Sequence, residues 1–226
     1  MQSPLLTCYD PQNAFEIGVD EAGRGPLFGR LYVGAVVLPK EGGFHHEWMK
    51  DSKRFHSKKK IRDIAEYIKA NAVAWSVQYI EADVIDEINI RQSVFRGMHN
   101  AIREIITTKT GLDGVFLLVD GNDFRPYTVF EEDTDTLRVV PHETIEGGDN
   151  KYTAIAAASI LAKVARDDYI SVLCSEHPEL ITRYGLDKNQ GYGTKQHLAG
   201  IIENGISQWH RKTYGRCKEA ALSLCI

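Results

Sequence analysis

The sequence predicts an α/β fold in which helices cover a sheet, and three observations support this. Apolar runs of strand length alternate along the chain with segments whose apolar residues repeat at helical spacing. One run, residues 115–119 (VFLLV), is apolar throughout, which is typical of a strand buried on both faces. Residues 153–173 read as a long helix whose first half (AIAAASILA) is small and apolar, so we expect it to pack tightly against a sheet.

The first half of the chain is predicted to form three strands and three helices. Strands are indicated by apolar alternation or β-branched runs, and helices by apolar residues three or four positions apart. Ser57 is the expected N-cap of the first helix. In chain order the predicted elements are strands over residues 15–19 and 31–38, a helix over 58–70, a strand over 72–80, and helices over 81–88 and 90–108.

The second half begins with the buried strand over residues 115–119 and then becomes polar. We interpret residues 122–136, with Glu131, Glu132, Asp133 and Asp135, as a solvated acidic loop. A short strand over residues 137–140 precedes the long helix. The plausible boundary lies near His177-Pro178 and divides residues 1–177 from a basic segment of short helices, residues 178–226.

Composition narrows the class of protein. The chain has 226 residues, a formal net charge of −4 and four scattered cysteines, Cys8, Cys174, Cys217 and Cys225, without a CxxC pair. No apolar run reaches the roughly 18 residues of a membrane span, and the first residues lack a signal-peptide pattern. We therefore expect a soluble cytoplasmic protein with reduced thiols and no membrane partner, whose nucleic-acid affinity, if any, comes from local patches.

Carboxylates occur where predicted strands end. Asp20 and Glu21 follow the first strand, Asp120 ends the all-apolar strand, and Asp149 precedes the long helix. Taken singly, Asp120 could be a turn residue and Asp149 a helix N-terminal acid. Taken together, they predict a site at one edge of the sheet. Carboxylates that lie close together there repel one another unless cations bind between them. Oxygen-only ligands suit Mg²⁺ or Mn²⁺, and two such ions support phosphoryl displacement.

Four blocks of sequence carry a resemblance to a known family. IGVDEAGRGP, LLVDGN, GGDNKYTAIAAASILAKVARD and NQGYGTKQH, in that order, resemble the blocks of the type 2 ribonucleases H, or ribonuclease HII. The similarity extends over about residues 15–211. It implies a ribonuclease H-like mixed five-stranded sheet flanked by helices, with residues 1–177 as the catalytic domain and residues 178–226 as a helical segment that contributes to substrate binding.

The resemblance also implies an activity. Such enzymes cut the RNA strand of RNA/DNA hybrids and cut on the 5′ side of single ribonucleotides in duplex DNA, leaving 3′-hydroxyl and 5′-phosphate ends. This activity implies roles in DNA replication and ribonucleotide excision repair. The residues that match the catalytic and metal-binding acids of the family are Asp20, Glu21, Asp120 and Asp149.

Recognition of the ribonucleotide is implied at two glycine-flanked positions. By the resemblance, Gly23, Arg24 and Gly25 contact the junction ribonucleotide, and Tyr192 senses the same 2′-hydroxyl. The chemistry agrees, because the 2′-hydroxyl is what separates RNA from DNA at one nucleotide. A turn aromatic without a recognition role is the alternative for Tyr192.

Contacts with substrate phosphates require positively charged side chains, and the lysines and arginines of this chain are concentrated in a few segments. Lys53, Lys163 and Arg166 are the expected phosphate ligands, whereas residues 58–60 fit a solvated helix face. Further cations in the tail, including Arg211, are expected to add affinity for the duplex. The histidines are expected to be superficial or structural, with phosphate contact as an alternative for His197.

Three other classes of protein are alternatives to a type 2 ribonuclease H. A type 3 ribonuclease H typically has a glutamate where this chain has Asp149, and it lacks the combination of GRG with GYGT. A Holliday-junction resolvase would share the sheet. A catalytically inactive nucleic-acid-binding protein would not need all four acids. We expect a monomer that binds RNA/DNA hybrids and ribonucleotide-containing duplex DNA, without a clamp-binding peptide.

Overall fold

The computed structural model describes residues 4–132 and 135–222 and confirms the α/β prediction. A five-stranded sheet has the order β3-β2-β1-β4-β7, in which β1 pairs antiparallel with β2 and parallel with β4, and β5 and β6 form a separate hairpin. The strands are β1 (Phe15–Ala22), β2 (Leu31–Val37), β3 (Ala74–Ile80), β4 (Val115–Asp120), β5 (Thr128–Glu131), β6 (Thr136–Val139) and β7 (His142–Ile145).

The helices agree with the predicted order. They are α1 (Lys58–Asn71), α2 (Ala82–Ile105), α3 (Thr153–Glu176), α4 (Glu179–Tyr184), α5 (Leu186–Asn189) and α6 (Lys195–Asn204). The Ser57 side chain accepts a hydrogen bond from the Lys60 amide, which confirms the predicted N-cap. The two helices predicted over residues 81–108 meet at Asn89, whose φ of 66° bends α2, and α2 continues as a π-helical turn.

Helices cover both faces of the sheet. On one face, apolar residues of α2 such as Met98 and Ile102 pack against Ile17 and Val19 of β1. On the other face, α1 and α3 pack together around residues such as Ile68 and Ile160. Because strand residues alternate between faces, Gly18 and Asp20 of β1 lie on the α3 side. The long helix therefore covers the face that carries Asp20.

Two glycines allow α3 to approach the sheet closely. A Cβ atom on Gly18 would lie 2.2 Å from the carbonyl carbon of Ala154, and one on Gly34 would lie 2.3 Å from the carbonyl oxygen of Ala158. Neither backbone position can accommodate such an atom without a shift of the helix. The small residues at the start of α3 thus pack directly on the backbone of β1 and β2, as their composition predicts.

The region between β4 and α3 differs from the prediction. Residues 122–136 are not a continuous loop, because β5 lies within them and pairs with β6. Glu131 ends β5, Glu132 and Asp135 lie at the turn, and Asp133 lies outside the described residues. Strand β7 was also missed, since its short sequence HETI has no strand pattern of its own and depends on parallel pairing with β4.

The C-terminal helices pack on the end of α3. Ile170 and Leu173 of α3 share an apolar cluster with Leu180, Tyr184 and Phe28. Apolar contacts thus cross the position where the sequence suggests a boundary. Among the described residues, Cys8, Cys174 and Cys217 are free thiols. Within residues 4–132 and 135–222, no helix combines the length and apolar character needed to span a membrane.

Candidate active site

A cavity of about 400 Å³ opens where β1 and β4 end. Its walls come from the end of β1 and the following glycine turn, from the middle of α3, and from α5 and the turn after it. The predicted site residues that line it are Asp20, Glu21, Gly23, Arg24, Gly25, Lys53, Asp120, Lys163, Arg166 and Tyr192. The structure thus brings together ten of the eleven residues named from the sequence.

Asp20 is held at the buried side of this cavity. Its carboxylate accepts a hydrogen bond of 2.7 Å from the Glu21 amide, and the Ser159 hydroxyl of α3 also hydrogen-bonds to it. Ser159 in turn lies 3.0 Å from the Ser52 hydroxyl, which is buried as well. The close packing of α3 on the sheet therefore supplies a polar partner for a carboxylate that would otherwise lie against an apolar helix.

The carboxylates destabilise one another's charged forms. Burial raises the pKa of Asp20 well above its ordinary value, and the charges of Glu21 and Asp120 raise it further. Burial also raises the pKa of Glu21, although Arg24, with its guanidinium 3.7 Å from the Glu21 carboxylate, acts in the opposite direction. Raised pKa values of this kind are expected for buried acids whose negative charges are not fully compensated by positive charge.

Asp149 lies beside this set and does not line the cavity wall. The Gly148 amide donates a 2.6 Å hydrogen bond to Asp120, so the short turn that carries Asp149 is fastened to the end of β4. Burial raises the pKa of Asp149, and the negative charges of Asp51 and Asp120 raise it further. Asp149 is therefore in electrostatic contact with Asp120, as the predicted constellation requires.

Lys53 faces these acids from the loop before α1. Burial acts to lower its pKa, but Asp51, followed by Asp149, Asp20 and Asp120, raises it above the ordinary value. The ammonium group therefore stays charged at neutral pH. It is an exposed cation at the edge of an acidic cavity, where a phosphate could approach it.

The donor set fits divalent cations by its chemistry. Within the described residues, no three His, Cys, Asp or Glu side chains are already arranged as ligands of one ion. The acids around the cavity nevertheless offer only carboxylate oxygens, the ligands that Mg²⁺ and Mn²⁺ prefer. The raised pKa of Asp20 shows that added positive charge would stabilise this cluster.

Two buried arginines contact the glycine turn after β1, Arg166 of α3 and Arg211 of the C-terminal segment. Gly23 has a φ of +94°, and a Cβ atom there would lie 2.3 Å from Nε of Arg166. Arg211 is fully buried and donates to the carbonyl oxygens of Gly23, Arg24 and Gly29. The expectation that Arg211 adds affinity for a duplex is wrong, because its guanidinium is committed to the main chain.

Tyr192 lies opposite this turn. Its side chain is 51% exposed, and a Cβ atom on Gly25 would lie 3.8 Å from its ring. Asn189 holds the turn, because its carbonyl oxygen accepts from the Tyr192 amide and its side chain accepts from the Gly191 amide. Tyr192 and Gly25 therefore lie next to each other, at the part of the cavity predicted to receive the ribonucleotide.

The other predicted contact residues have partners already. Lys163 pairs with Asp167 one helical turn away, and Arg166 is 2% exposed and donates to the carbonyl oxygens of Phe28 and Gln190. His197 is completely buried, so the alternative of phosphate contact is wrong and the structural role is correct. Both Lys163 and Arg166 still line the cavity.

Sequence reasoning missed two residues that build this site, Ser159 and Ser52, and gave a third, Arg211, the wrong role. Ser159 is a polar residue in the middle of an apolar helix, which could have indicated a buried partner. Ser52 follows Asp51 in the basic loop and carries no comparable signal. Arg211 lies in a basic tail, where a buried guanidinium cannot be distinguished from an exposed one by sequence.

Comparison with known proteins identifies relatives over nearly the whole chain. The sequence model of the family described as Ribonuclease HII matches residues 17–217. A ribonuclease HII of Bacteroides thetaiotaomicron is 40% identical over 220 residues, covering 97% of this chain and 99% of that protein. A ribonuclease HII of Porphyromonas gingivalis is 38% identical over 210 residues, covering 93% of this chain and 94% of that protein.

Solved structures share the fold. Ribonuclease H2 from Pyrococcus horikoshii OT3 superposes with a TM-score of 0.70 at 21% identity, covering 91% of this chain and 96% of that one. Bst-RNase HIII in complex with Mn²⁺ gives a TM-score of 0.58 at 15% identity, covering 93% of this chain and 73% of that one. Sequence and fold agree that the chain belongs to the ribonuclease HII family and is a ribonuclease H hydrolase.

Proposed function

We propose that this protein cuts the RNA strand of RNA/DNA hybrids and also cuts on the 5′ side of single ribonucleotides in duplex DNA, leaving 3′-hydroxyl and 5′-phosphate ends. The observation that carries the proposal is the convergence, in one cavity, of acids at strand ends with a glycine turn and an exposed tyrosine. Acids alone would support hydrolysis of any phosphodiester. The glycine turn and Tyr192 add a place where a single sugar can be read.

Four acids would hold the metal ions in this proposal. Asp20, Glu21, Asp120 and Asp149 would bind two divalent ions, Mg²⁺ or Mn²⁺, as their oxygen-only chemistry favours. Bound there, such ions lower the pKa of an attacking water and stabilise the leaving 3′-oxygen. The protein's own contribution is to orient the acids, which the Ser159 hydroxyl and the Gly148 amide do for Asp20 and Asp120.

The remaining residues would bind and orient the substrate. Hydrolysis forms a bond from a water oxygen to phosphorus and breaks the bond from phosphorus to the 3′-oxygen, which takes up a proton. Lys53, and with it Lys163 and Arg166, would meet the phosphates, with Lys53 the most accessible of the three. Gly23, Arg24, Gly25 and Tyr192 would surround the ribose, whose 2′-hydroxyl can both donate and accept a hydrogen bond.

We propose further that residues 178–226 contribute to substrate binding as part of the same cavity. Lys188, Asn189, Gln190 and Tyr192 from this segment line it. The proposed setting is ribonucleotide excision repair and replication in the cytoplasm, by a monomer. One structural neighbour is a PCNA:RNase HII complex from Archaeoglobus fulgidus; for this chain, the absence of a clamp-binding peptide stays a prediction.

A cleavage assay with three labelled duplexes tests the proposal. The duplexes carry one ribonucleotide, a full RNA strand or only DNA, and each is incubated with Mg²⁺, Mn²⁺ or chelator. We expect cutting only where a 2′-hydroxyl is present, and loss of cutting with chelator or in Asp120→Asn. Cutting of hybrids without cutting at a single ribonucleotide would favour a type 3 enzyme, and binding without cutting would favour an inactive relative.

Tyr192 provides the test of recognition. Tyr192→Ala should reduce cleavage at a single ribonucleotide more than it reduces affinity for a hybrid. Tyr9→Ala, which removes a similarly exposed tyrosine outside the cavity, is the control and should leave both unchanged. If Tyr192→Ala lowered cleavage at a single ribonucleotide and affinity for a hybrid by the same factor, the assigned role would be contradicted.

A further inference from the structure

Two buried histidines lie directly behind Tyr192. His197, in the first turns of α6, and His210 are 0% and 1% exposed, and their Nε2 atoms are 3.0 Å apart. Neither residue lines the cavity. Buried imidazoles need partners for both ring nitrogens, and here each nitrogen has one.

The hydrogen bonds determine where each proton lies. The Ser207 amide donates to Nδ1 of His210 at 3.0 Å, so that nitrogen is an acceptor and the proton of His210 lies on Nε2. His210 therefore donates to Nε2 of His197. The proton of His197 must then lie on Nδ1, from which it is donated to the Tyr192 carbonyl oxygen at 3.0 Å.

Both imidazoles stay neutral, so the hydrogen bonds continue to run from His210 to His197 and from His197 to the Tyr192 carbonyl. Burial lowers the pKa of His197, and burial together with the neighbouring His197 lowers the pKa of His210 to about 3. The ring of Tyr184 packs against both imidazoles, and Phe28 packs edge-on against His210.

Besides the histidine pair, Asn189 and main-chain hydrogen bonds hold the turn that carries Tyr192. Gly191, with a φ of +84°, and Gly193 flank Tyr192, so neither neighbour contributes a side chain to anchor the ring. The Tyr192 carbonyl accepts from the Thr194 amide at 2.8 Å and from His197, and the Gly191 carbonyl accepts from the Leu27 amide. The Tyr192 carbonyl is thus held by one donor within the turn and by a second donor, His197, from outside it.

We propose that His197 and His210 are positioning residues that fix the main chain of Tyr192 and thereby place its ring over the cavity. The inference rests on the proposed role of Tyr192 in sensing the 2′-hydroxyl. Neither histidine touches the substrate. Loss of either one should release the ring from the face of Gly25 while the acids at the other end of the cavity keep their positions.

Substitutions at both histidines test this by cleavage. His197→Ala and His210→Ala should lower kcat/KM at a single ribonucleotide about tenfold, the worth of roughly one buried hydrogen bond, and should lower hybrid cleavage less. His197→Asn, whose amide can replace the Nδ1 donor, should recover most of the loss. His99→Ala removes a half-buried, hydrogen-bonded histidine outside the cavity and should have no effect on cleavage.

A double substitution separates positioning from general stability. In a Tyr192→Ala background, His197→Ala should cause no further loss of cleavage, because its effect passes through the ring that is already missing. A further tenfold loss would overturn the proposal. If His197→Ala does not fold, as judged by thermal unfolding, the same comparison is made with His197→Leu and His210→Leu, which remove the same hydrogen bonds with less change in volume, and absence of any substrate-selective loss in both would also overturn it.

Amide hydrogen exchange gives a readout that needs no cleavage. In His197→Ala, exchange should rise at Gly191, Tyr192 and Thr194, whose amides are hydrogen-bonded within the turn, and should stay unchanged in β1 and β4. Unchanged exchange at the turn would refute positioning. Failure of the wild-type protein to cut either ribonucleotide substrate would refute the proposed function instead, so the two outcomes are distinguishable.

Discussion

The two ends of the cavity are built on opposite principles. The acidic end, formed by Asp20, Glu21, Asp120 and Asp149, consists of carboxylates whose pKa values, at Asp20, Glu21 and Asp149, are raised by burial and by neighbouring negative charge. The glycine end, formed by Gly23, Arg24, Gly25 and Tyr192, is held by main-chain hydrogen bonds to buried donors. Added positive charge would stabilise the first end, whereas the main-chain carbonyls of the second end already have hydrogen-bond donors.

This difference separates chemistry from recognition. Unfavourable charge at the acidic end is what would give it affinity for divalent ions, at a cost in the stability of the free protein. At the glycine end, a fixed backbone allows close approach of a sugar and would discriminate by shape and hydrogen bonding. Substitutions should therefore affect the two ends differently, and four predictions sharpen that comparison.

The largest effect is expected at the acidic end. Asp20→Asn should lower cleavage of both ribonucleotide substrates by at least about a hundredfold, because a metal ligand supports several kcal/mol of transition-state stabilisation. The measurement is kcat/KM on the single-ribonucleotide duplex and the hybrid. Selective loss on one substrate would mean that Asp20 belongs to recognition and would break the division between the two ends.

At the glycine end, Arg211→Met should lower the free energy of unfolding by about 3 kcal/mol or more. The substitution leaves the carbonyl oxygens of Gly23 and Gly29 without their Arg211 donor, whereas that of Arg24 keeps the Tyr214 hydroxyl. Each buried unpaired group costs about 1–3 kcal/mol. Urea denaturation measures this. Arg62→Ala, which removes an exposed arginine paired with Asp168, is the matched control and should change stability by less than about 1 kcal/mol.

Packing of α3 against the sheet should matter for the acidic end. Gly34→Ala is expected to cost about 1–3 kcal/mol of stability, because its Cβ would collide with the Ala158 backbone next to Ser159. Gly43→Ala, where a Cβ meets nothing within 4 Å, should be close to neutral. Equal Tm values for the two variants would show that the helix moves away without cost.

The smallest effect concerns pH. Since the pKa of Asp20 is raised in the folded protein, the folded state binds more protons than the unfolded state, whose Asp pKa is about 3.9. In chelator, the free energy of unfolding should therefore fall as pH rises from about 4 through the raised pKa.

Urea denaturation at several pH values checks this dependence. Asp20→Asn should flatten it and be more stable than the wild type at neutral pH, because the substitution removes the charge that burial and the neighbouring acids disfavour. A rise in stability with pH over the same interval would contradict the electrostatic account of the acidic end. Divalent ions in place of chelator should stabilise the wild type and have less effect on Asp20→Asn.

Local pattern determined most of the fold and the composition of the candidate site. Apolar runs ending at Asp20 and Asp120 are visible in the sequence because strand periodicity and burial act on neighbouring residues. For the same reason the small residues of α3 predicted close packing on the sheet. Strand β7 is different: it is formed by pairing with β4, and a polar four-residue stretch contains no local sign of that.

Only the tertiary structure decided which charged and polar side chains face the substrate and which face the protein. Arg211 and His197 lie in a tail that resembles a solvated basic surface in the sequence, and Arg166 is predicted to contact phosphate. All three are buried and bonded to main-chain carbonyls, although Arg166 still lines the cavity. Their partners are 24 to 188 residues away for the two arginines and only five for His197. Burial depends on how distant segments pack together, and residue type alone does not specify it.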